Sequence, residues 1–250
     1  MTVVDADGPT PALAPAPSPD DGGLAALRVR YSRGQLLEAD VAADPLTQFR
    51  AWLGAAIESG QPEPNAMTLA TVDGDGLPAA RTVLLKAVDT GFIFYTDLGS
   101  RKGRHLRSNP RAALVFCWLG LERQVTVRGP VAPLDRAATA AYFASRPRES
   151  QIGAWTSQQS RAVGSRADLE ERAAAMTARF ADAPVPLPDT WGGFRLLPVE
   201  VEFWQGRPGR LHDRLRYERT ATAEATDLAG TAGDAAPETR VSWSVVRLQP

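Results

Sequence analysis

Short β-rich runs joined by turns of a few residues recur along this chain, and that spacing restricts it to antiparallel architectures. MTLATVD (67–73) leads through Gly74–Gly76 into LPAARTVLLKAV, a hairpin pattern. AALVFCWL (112–119) and LERQVTVRGPV (121–131) make a second pair around Gly120. In VEVEFW (199–204), Val199, Val201 and Phe203 alternate with Glu200 and Glu202, as a half-buried strand requires. VSWSVVRL (241–248) reads as a closing strand. About six strands at this spacing predict an antiparallel β-barrel with flanking helices, mainly β in an α+β setting, and not a doubly wound α/β sheet.

Helices are expected at roughly 100–108, 135–146 and 165–181, with Ser165 and Asp168 as a capping pair for the last. An earlier helix opens at Asp44–Pro45, an N-cap and first-turn proline. Its Leu46, Phe49, Leu53 and Ile57 recur at helical spacing up to Gly60 and are expected to pack into the core. Residues 1–22 are rich in Pro, Ala, Asp and Gly without periodicity and are expected to form a disordered tail. Residues 23–250 are read as a single domain, with 220–239 a flexible insertion.

The stretch RTVLLKAVDTGFIFYTDLGSRK (81–102) carries the first chemical signal. It reads as two strands joined by a turn at Asp89–Gly91, then a helix capped by Ser100. Arg81, Lys86, Arg101 and Lys102 then gather at strand ends and a helix N-terminus, where unpaired N–H groups favour an anion such as phosphate. Of the 28 Lys and Arg residues, only Lys86 and Lys102 are lysines. An ammonium is a compact, mobile point charge, not interchangeable with a planar guanidinium in a tight site.

The balance of charges limits the alternatives. A net charge of −1 argues against nucleic-acid binding, which usually needs a basic excess. Cys117 is the only cysteine, so no intrachain disulfide forms; with two His, a metal site is not expected. No apolar run reaches membrane-spanning length and no signal peptide is legible, so the cytoplasm is the expected location.

Three further groups are candidates. Tyr142, Arg146 and Ser150 are spaced four apart and would share a helical face, although Pro147 interrupts. From spacing alone they also suit an ordinary helix end. FWQGRPGRLHDR (203–214) sets Trp204, Arg210, His212 and Arg214 just beyond a strand, suiting a polar pocket. Gln124 lies within the strand LERQVTV, where an amide can donate and accept at once.

RTVLLK, FYTDLGSRK, LERQV, YFASRPRESQIGAW, PDTWGGFRL and EFWQGRPGRLHDR occur together and in this order. From about Arg28 to the C-terminus the chain resembles the pyridoxamine (pyridoxine) 5′-phosphate oxidase family. That resemblance implies a split β-barrel homodimer with FMN in a cleft between subunits. It implies FMN contacts along Arg81, Thr82, Val83, Leu84, Leu85 and Lys86, and at Tyr95, Thr96, Arg101, Lys102, Gln124, Gln159, Ser160, Trp204 and Arg214. The substrate phosphate would meet Lys86, Tyr142, Arg146 and Ser150, with Arg210 and His212 holding the pyridine ring. Arg28 and Tyr31 match a segment that closes over the site, where the family has two successive arginines and this chain has Arg28–Val29. The implied reaction is oxidation of pyridoxamine or pyridoxine 5′-phosphate by oxygen to pyridoxal 5′-phosphate and hydrogen peroxide. A related flavin oxidase or reductase of phenazine type, and a non-catalytic binding module, are the other readings. Arg81 and Lys86 are five residues apart, so on one regular strand they face opposite ways. Either a bulge or strand end brings them to one phosphate, or Lys86 serves the substrate and Arg81 the FMN.

Overall fold

The computed structural model describes residue 27, residues 29–220 and residues 241–250. The expected tail, Arg28, and the expected insertion apart from Thr220 lie outside those residues. Helix α1 (Pro45–Glu58) begins where the Asp44 carboxylate accepts from the Thr47 amide at 2.7 Å. It buries Phe49, Trp52 and Ala56, with Leu46 and Leu53 partly covered. Ile57 is 59% exposed, which corrects the expected stripe. Trp52 and Ala56 follow Phe49 at helical spacing, and the larger indole area turns the inward face toward them.

Strands β1 (Ala66–Val72) and β2 (Pro78–Leu84) form the expected hairpin, pairing Ala66 with Leu84 and Val72 with Pro78. β3 (Ala87–Val88) and β4 (Phe92–Asp97) flank the Asp89–Gly91 turn and lead into α2 (Arg101–Ser108). β5 (Arg111–Trp118) and β6 (Arg123–Pro133) follow, then α3 (Arg136–Ser145), α4 (Arg148–Thr156) and α5 (Arg166–Arg179). β7 (Trp191–Leu196), β8 (Glu200–Gln205), β9 (Asp213–Thr220) and β10 (Ser242–Arg247) complete the chain.

All pairings are antiparallel, in the order β10-β9-β8-β6-β5-β1-β2, with β7 joining β6 to β4 and β4 joining β3. β6 changes partner along its length. Arg123–Arg128 pair with β8, and Val131–Pro133 pair with β7. At the changeover, a Cβ on Gly129 would collide with the Leu197 carbonyl, so only glycine lets the backbones approach there. The result is a curled antiparallel half-barrel, mostly β.

Ten strands among the described residues replace the expected six. β7 was missed because five of its six residues are buried, leaving no alternation to read. β9 was missed although Leu215 and Tyr217 alternate with Arg214, Arg216 and Glu218, because the charged run reads as loop. β10 pairs only with β9 and ends the sheet instead of closing it. Val199, expected to face inward, precedes β8 and is 43% exposed.

Phe49 packs on Phe92 and Phe116, each with ring centroids 4.8 Å away, under the inward residues Leu69, Leu114, Val125, Val127, Val201, Phe203 and Leu215. Fully burying one such side chain contributes roughly 1.5–3 kcal/mol. A second cluster, Phe143, Ile152, Phe180, Val185 and Trp191, fastens α3, α4 and α5 to β7. Among the described residues, no helix is long and apolar enough to cross a membrane, and no group of three or more His, Cys, Asp or Glu side chains could hold a metal.

Candidate active site

Strand β2 stops at Leu84, and the Lys86 amide donates to the Ile93 carbonyl at 2.8 Å. The expected continuous RTVLLK strand is therefore broken where the chain leaves β1 for β4. That strand end removes the parity conflict between Arg81 and Lys86. Arg81 stands opposite Leu69 on the inward side, and its guanidinium donates to the Leu69 carbonyl (3.0 Å) and to Thr71 Oγ1 (2.8 Å). Thr71 Oγ1 lies 3.2 Å from Nδ1 of buried His105 on α2.

Ser100 caps α2, its Oγ accepting from the Gly103 amide at 3.2 Å. Lys102 Nζ donates to Gln159 Oε1 at 2.8 Å, and Thr96 Oγ1 donates to the same atom at 3.1 Å. The Gln159 amide donates to Asp97 Oδ2, and the Arg101 amide to Ser160 Oγ. Burial lowers the Lys102 pKa, the nearby Arg81 charge lowers it further, and Asp97 offsets part of this. Burial and the charge of Arg101 act the same way on Arg81. These cations repel one another across a small space, which is the electrostatic condition of an anion site.

A cleft of about 390 Å³ opens beside them. Thr82, Val83, Leu84, Lys86, Tyr95, Thr96, Lys102 and Gln159 line it together with Tyr142, Arg146, Ser150 and Trp191. Arg81, Leu85, Arg101 and Ser160 do not line it, Leu85 being buried in the core. The expected helix through Tyr142, Arg146 and Ser150 is interrupted: α3 ends at Ser145, Arg146 is extended (φ −73°, ψ 149°), and α4 starts after Pro147. Gln151 Nε2 donates to the Phe143, Ala144 and Arg146 carbonyls, satisfying the exposed end of α3. The break still leaves all three residues on one wall.

Tyr142, Tyr95 and Trp191, all lining the cleft, stack nearly parallel, Tyr95 to Tyr142 at 4.1 Å. The Arg146 guanidinium lies 4.7 Å from the Trp191 ring centroid. Its Nη1 is buried without a hydrogen-bond partner, and burial lowers its pKa. Among the described residues none of Arg81, Lys86, Arg101, Lys102 and Arg146 forms an ion pair. An oxygen-rich dianion fits such a donor set.

A separate cavity of about 410 Å³ lies at the β8–β9 turn, lined by Val29, Tyr31, Trp204, Arg207, Arg210, His212 and their neighbours. Gly209 (φ 67°) and Arg210 (φ 64°) both take left-handed backbone there. His212 Nδ1 accepts from the Arg207 amide at 3.1 Å, which assigns the neutral ring's hydrogen to Nε2. Tyr31 meets both Trp204 and His212 edge-on, at 5.6 and 5.5 Å. A smaller cavity of about 200 Å³ shares Tyr31 and Trp204 as walls and adds Cys117, Glu122 and Gln124. Arg214, opposite Trp204, is bound by both oxygens of Glu202 at 2.8 and 3.0 Å, which raises its pKa.

Within one chain, the cleft holding Lys86 and Arg146 and the cavity holding Arg210 and His212 share no wall. The two groups expected around one substrate are not brought together by a single protomer. Thr71, Asp97, His105, Glu122 and Trp191 border the site as well and are not among the residues expected from the sequence. Asp97, Glu122 and Trp191 sit inside the quoted blocks FYTDLGSRK, LERQV and PDTWGGFRL and could have been found there.

Residues 53–179 match the model described as pyridoxamine 5′-phosphate oxidase, and residues 191–250 match the pyridoxine 5′-phosphate oxidase C-terminal dimerisation region. The chain belongs to the pyridoxamine 5′-phosphate oxidase family. It is 50% identical over 228 residues to a pyridoxine/pyridoxamine 5′-phosphate oxidase of Burkholderia lata, covering 91% of this chain and 99% of the relative. A protein of the same description from Thermosynechococcus vestitus is 57% identical over 197 residues, 78% of this chain and 93% of its own. Among solved structures, PhzG from Burkholderia lata, in complex with tetrahydrophenazine-1-carboxylic acid, superposes with a TM-score of 0.75 at 29% identity. That match covers 88% of this chain and all of PhzG. The pyridoxamine 5′-phosphate oxidase family is an oxidoreductase family that binds FMN. Its dimerisation region supplies β7 to β10 here, and β6 pairs with strands of that region, so the two matched parts share one sheet.

Proposed function

We propose that this protein oxidises pyridoxamine 5′-phosphate and pyridoxine 5′-phosphate to pyridoxal 5′-phosphate. Oxygen is the acceptor and hydrogen peroxide the by-product; the amine substrate also takes up water and releases ammonium. The observation that carries the reading is the cleft whose cations form no ion pair among the described residues and whose Arg146 Nη1 lacks a partner. A phosphate monoester supplies the missing charge and acceptor oxygens.

Arg81, Arg101 and Lys102 would hold the FMN phosphate, with Gln159, Ser160, Gln124, Trp204 and Arg214 along the rest of the cofactor. Bound FMN supplies a two-electron acceptor that oxygen can reoxidise. Lys86, Tyr142, Arg146 and Ser150 bind the substrate phosphate, remote from the reacting carbon, and so fix the alignment of the ring. Arg210 and His212 orient the pyridine ring and its reacting group. Because one protomer keeps these sets apart, the working unit is a homodimer in which each site draws on both chains. Arg28 would join Tyr31 in the segment that closes the site, and the enzyme works in the cytoplasm.

The likeness to PhzG favours a second reading, oxidation of a tricyclic acid. The Lys86–Arg146 cleft weighs against it, since a single carboxylate brings one charge and two oxygens to cations that a phosphate monoester meets with two charges and three oxygens. Following pyridoxal phosphate formation and oxygen uptake in the purified yellow protein separates the two. Arg210→Met is expected to keep its FMN while kcat/KM falls by about 10²-fold, or roughly 3 kcal/mol of transition-state stabilisation. Arg214→Met, which also strands Glu202, is expected to lose FMN first. If Arg210→Met turns over like wild type with full flavin, the assignment of the β8–β9 turn is wrong.

A further inference from the structure

Four non-glycine residues among those described have left-handed backbone: Glu63, Glu122, Ser160 and Arg210. Ser160 and Arg210 belong to the proposed site. Glu122 (φ 56°, ψ 39°) adjoins it and has no role so far. Such a conformation persists in a residue with a Cβ only when its surroundings hold it there.

The surroundings are explicit. The Glu122 carbonyl accepts from the Gly206 amide at 2.7 Å and from Gln205 Nε2 at 3.2 Å. Its buried side chain reaches the N-terminal segment, where Oε2 accepts from the consecutive amides of Ser32 (2.8 Å) and Arg33 (2.9 Å). Two successive N–H groups converging on one carboxylate oxygen form an anion nest, here closed by the protein's own glutamate. Tyr31, the residue immediately before, is pressed over Gly206, where an added Cβ would come within 2.8 Å of its ring.

We infer that Glu122 is a positioning residue: its carboxylate latches residues 31–33 so that Tyr31 stays against Trp204 and His212. The effect on substrate rests on the oxidase reading above; the latch itself does not.

Hydrogen exchange on the full-length, flavin-loaded protein tests the latch directly. Glu122→Gly removes the carboxylate while glycine adopts the same φ freely, so the fold is kept. Peptides spanning 29–36 are expected to exchange at least about tenfold faster in Glu122→Gly, with β6 unchanged. Glu122→Gln, which retains an acceptor oxygen, restores most of the protection. Unchanged exchange in Glu122→Gly overturns the latch. For turnover, KM for pyridoxine 5′-phosphate is expected to rise about tenfold with kcat within twofold and flavin content constant. Gly206→Ala, whose added methyl would press on the Tyr31 ring and on the Glu122 Cβ, gives the same split. An unchanged KM in both variants overturns the positioning role. If the wild-type protein does not oxidise this substrate, the oxidase reading falls, and the exchange experiment still decides the latch.

Discussion

Arg81 owes its orientation to a hydroxyl. Thr71 Oγ1 accepts from the guanidinium on one side and faces Nδ1 of His105, in the last turn of α2, on the other. A hydroxyl can accept from arginine while donating to an unprotonated imidazole nitrogen, so one small side chain joins β1, β2 and α2. Thr71→Val keeps the shape, removes the hydroxyl, and leaves buried His105 and half-buried Arg81 each short of one partner. FMN affinity in that variant is expected to fall about tenfold, or ~1.4 kcal/mol, and to recover in Thr71→Ser. Fluorescence titration of released flavin reads this, and equal affinity in all three proteins would detach Thr71 from the phosphate site.

The elements legible from the sequence are those whose ends carry their own chemistry. Ser100, Asp44 and Ser165 each cap the helix expected of them, through bonds to the Gly103, Thr47 and Asp168 amides. The Gly74–Gly76 turn set the register of β1 and β2. What failed depended on partners distant in sequence. WGGFRL gives no period because both of its faces are covered, and Ile57 was misplaced because the inward face of α1 is chosen by the sheet beneath it. The site divides the same way: the cations of 81–102 were visible as a group, whereas Thr71 and His105 become relevant only once β1 packs under α2. Tyr217 on β9 is a further long-range tie, its hydroxyl donating to the Ala42 carbonyl at 2.7 Å. Burial raises its pKa from the ordinary value near 10 to about 12. A folded-state value above the unfolded one means full stabilisation below pH 10, lost as pH rises toward 12, of order 2 kcal/mol. Denaturant melts of wild type and Tyr217→Phe from pH 8 to 12 should therefore converge at the alkaline end. Curves that stay parallel would rule out Tyr217 as the source.

At the scale of the whole molecule, the cleft and the β8–β9 cavity share no lining residue within one chain, and the C-terminal part of the chain matches a dimerisation region. The protein is expected to sediment as a dimer and to release flavin as it dissociates. Dilution followed by light scattering and flavin fluorescence checks this, and a monomer that retains FMN would contradict the shared-site reading. Tyr31 and Trp204 form a single partition. They are walls of both the cavity at Arg210 and the smaller one at Gln124. Any movement of Tyr31 that enlarges one space reshapes the other, so ligands that move Tyr31 as they bind would be thermodynamically linked. A ligand that draws Tyr31 toward Arg210 must change affinity at Gln124, and by reciprocity a ligand at Gln124 changes affinity at Arg210 by the same factor.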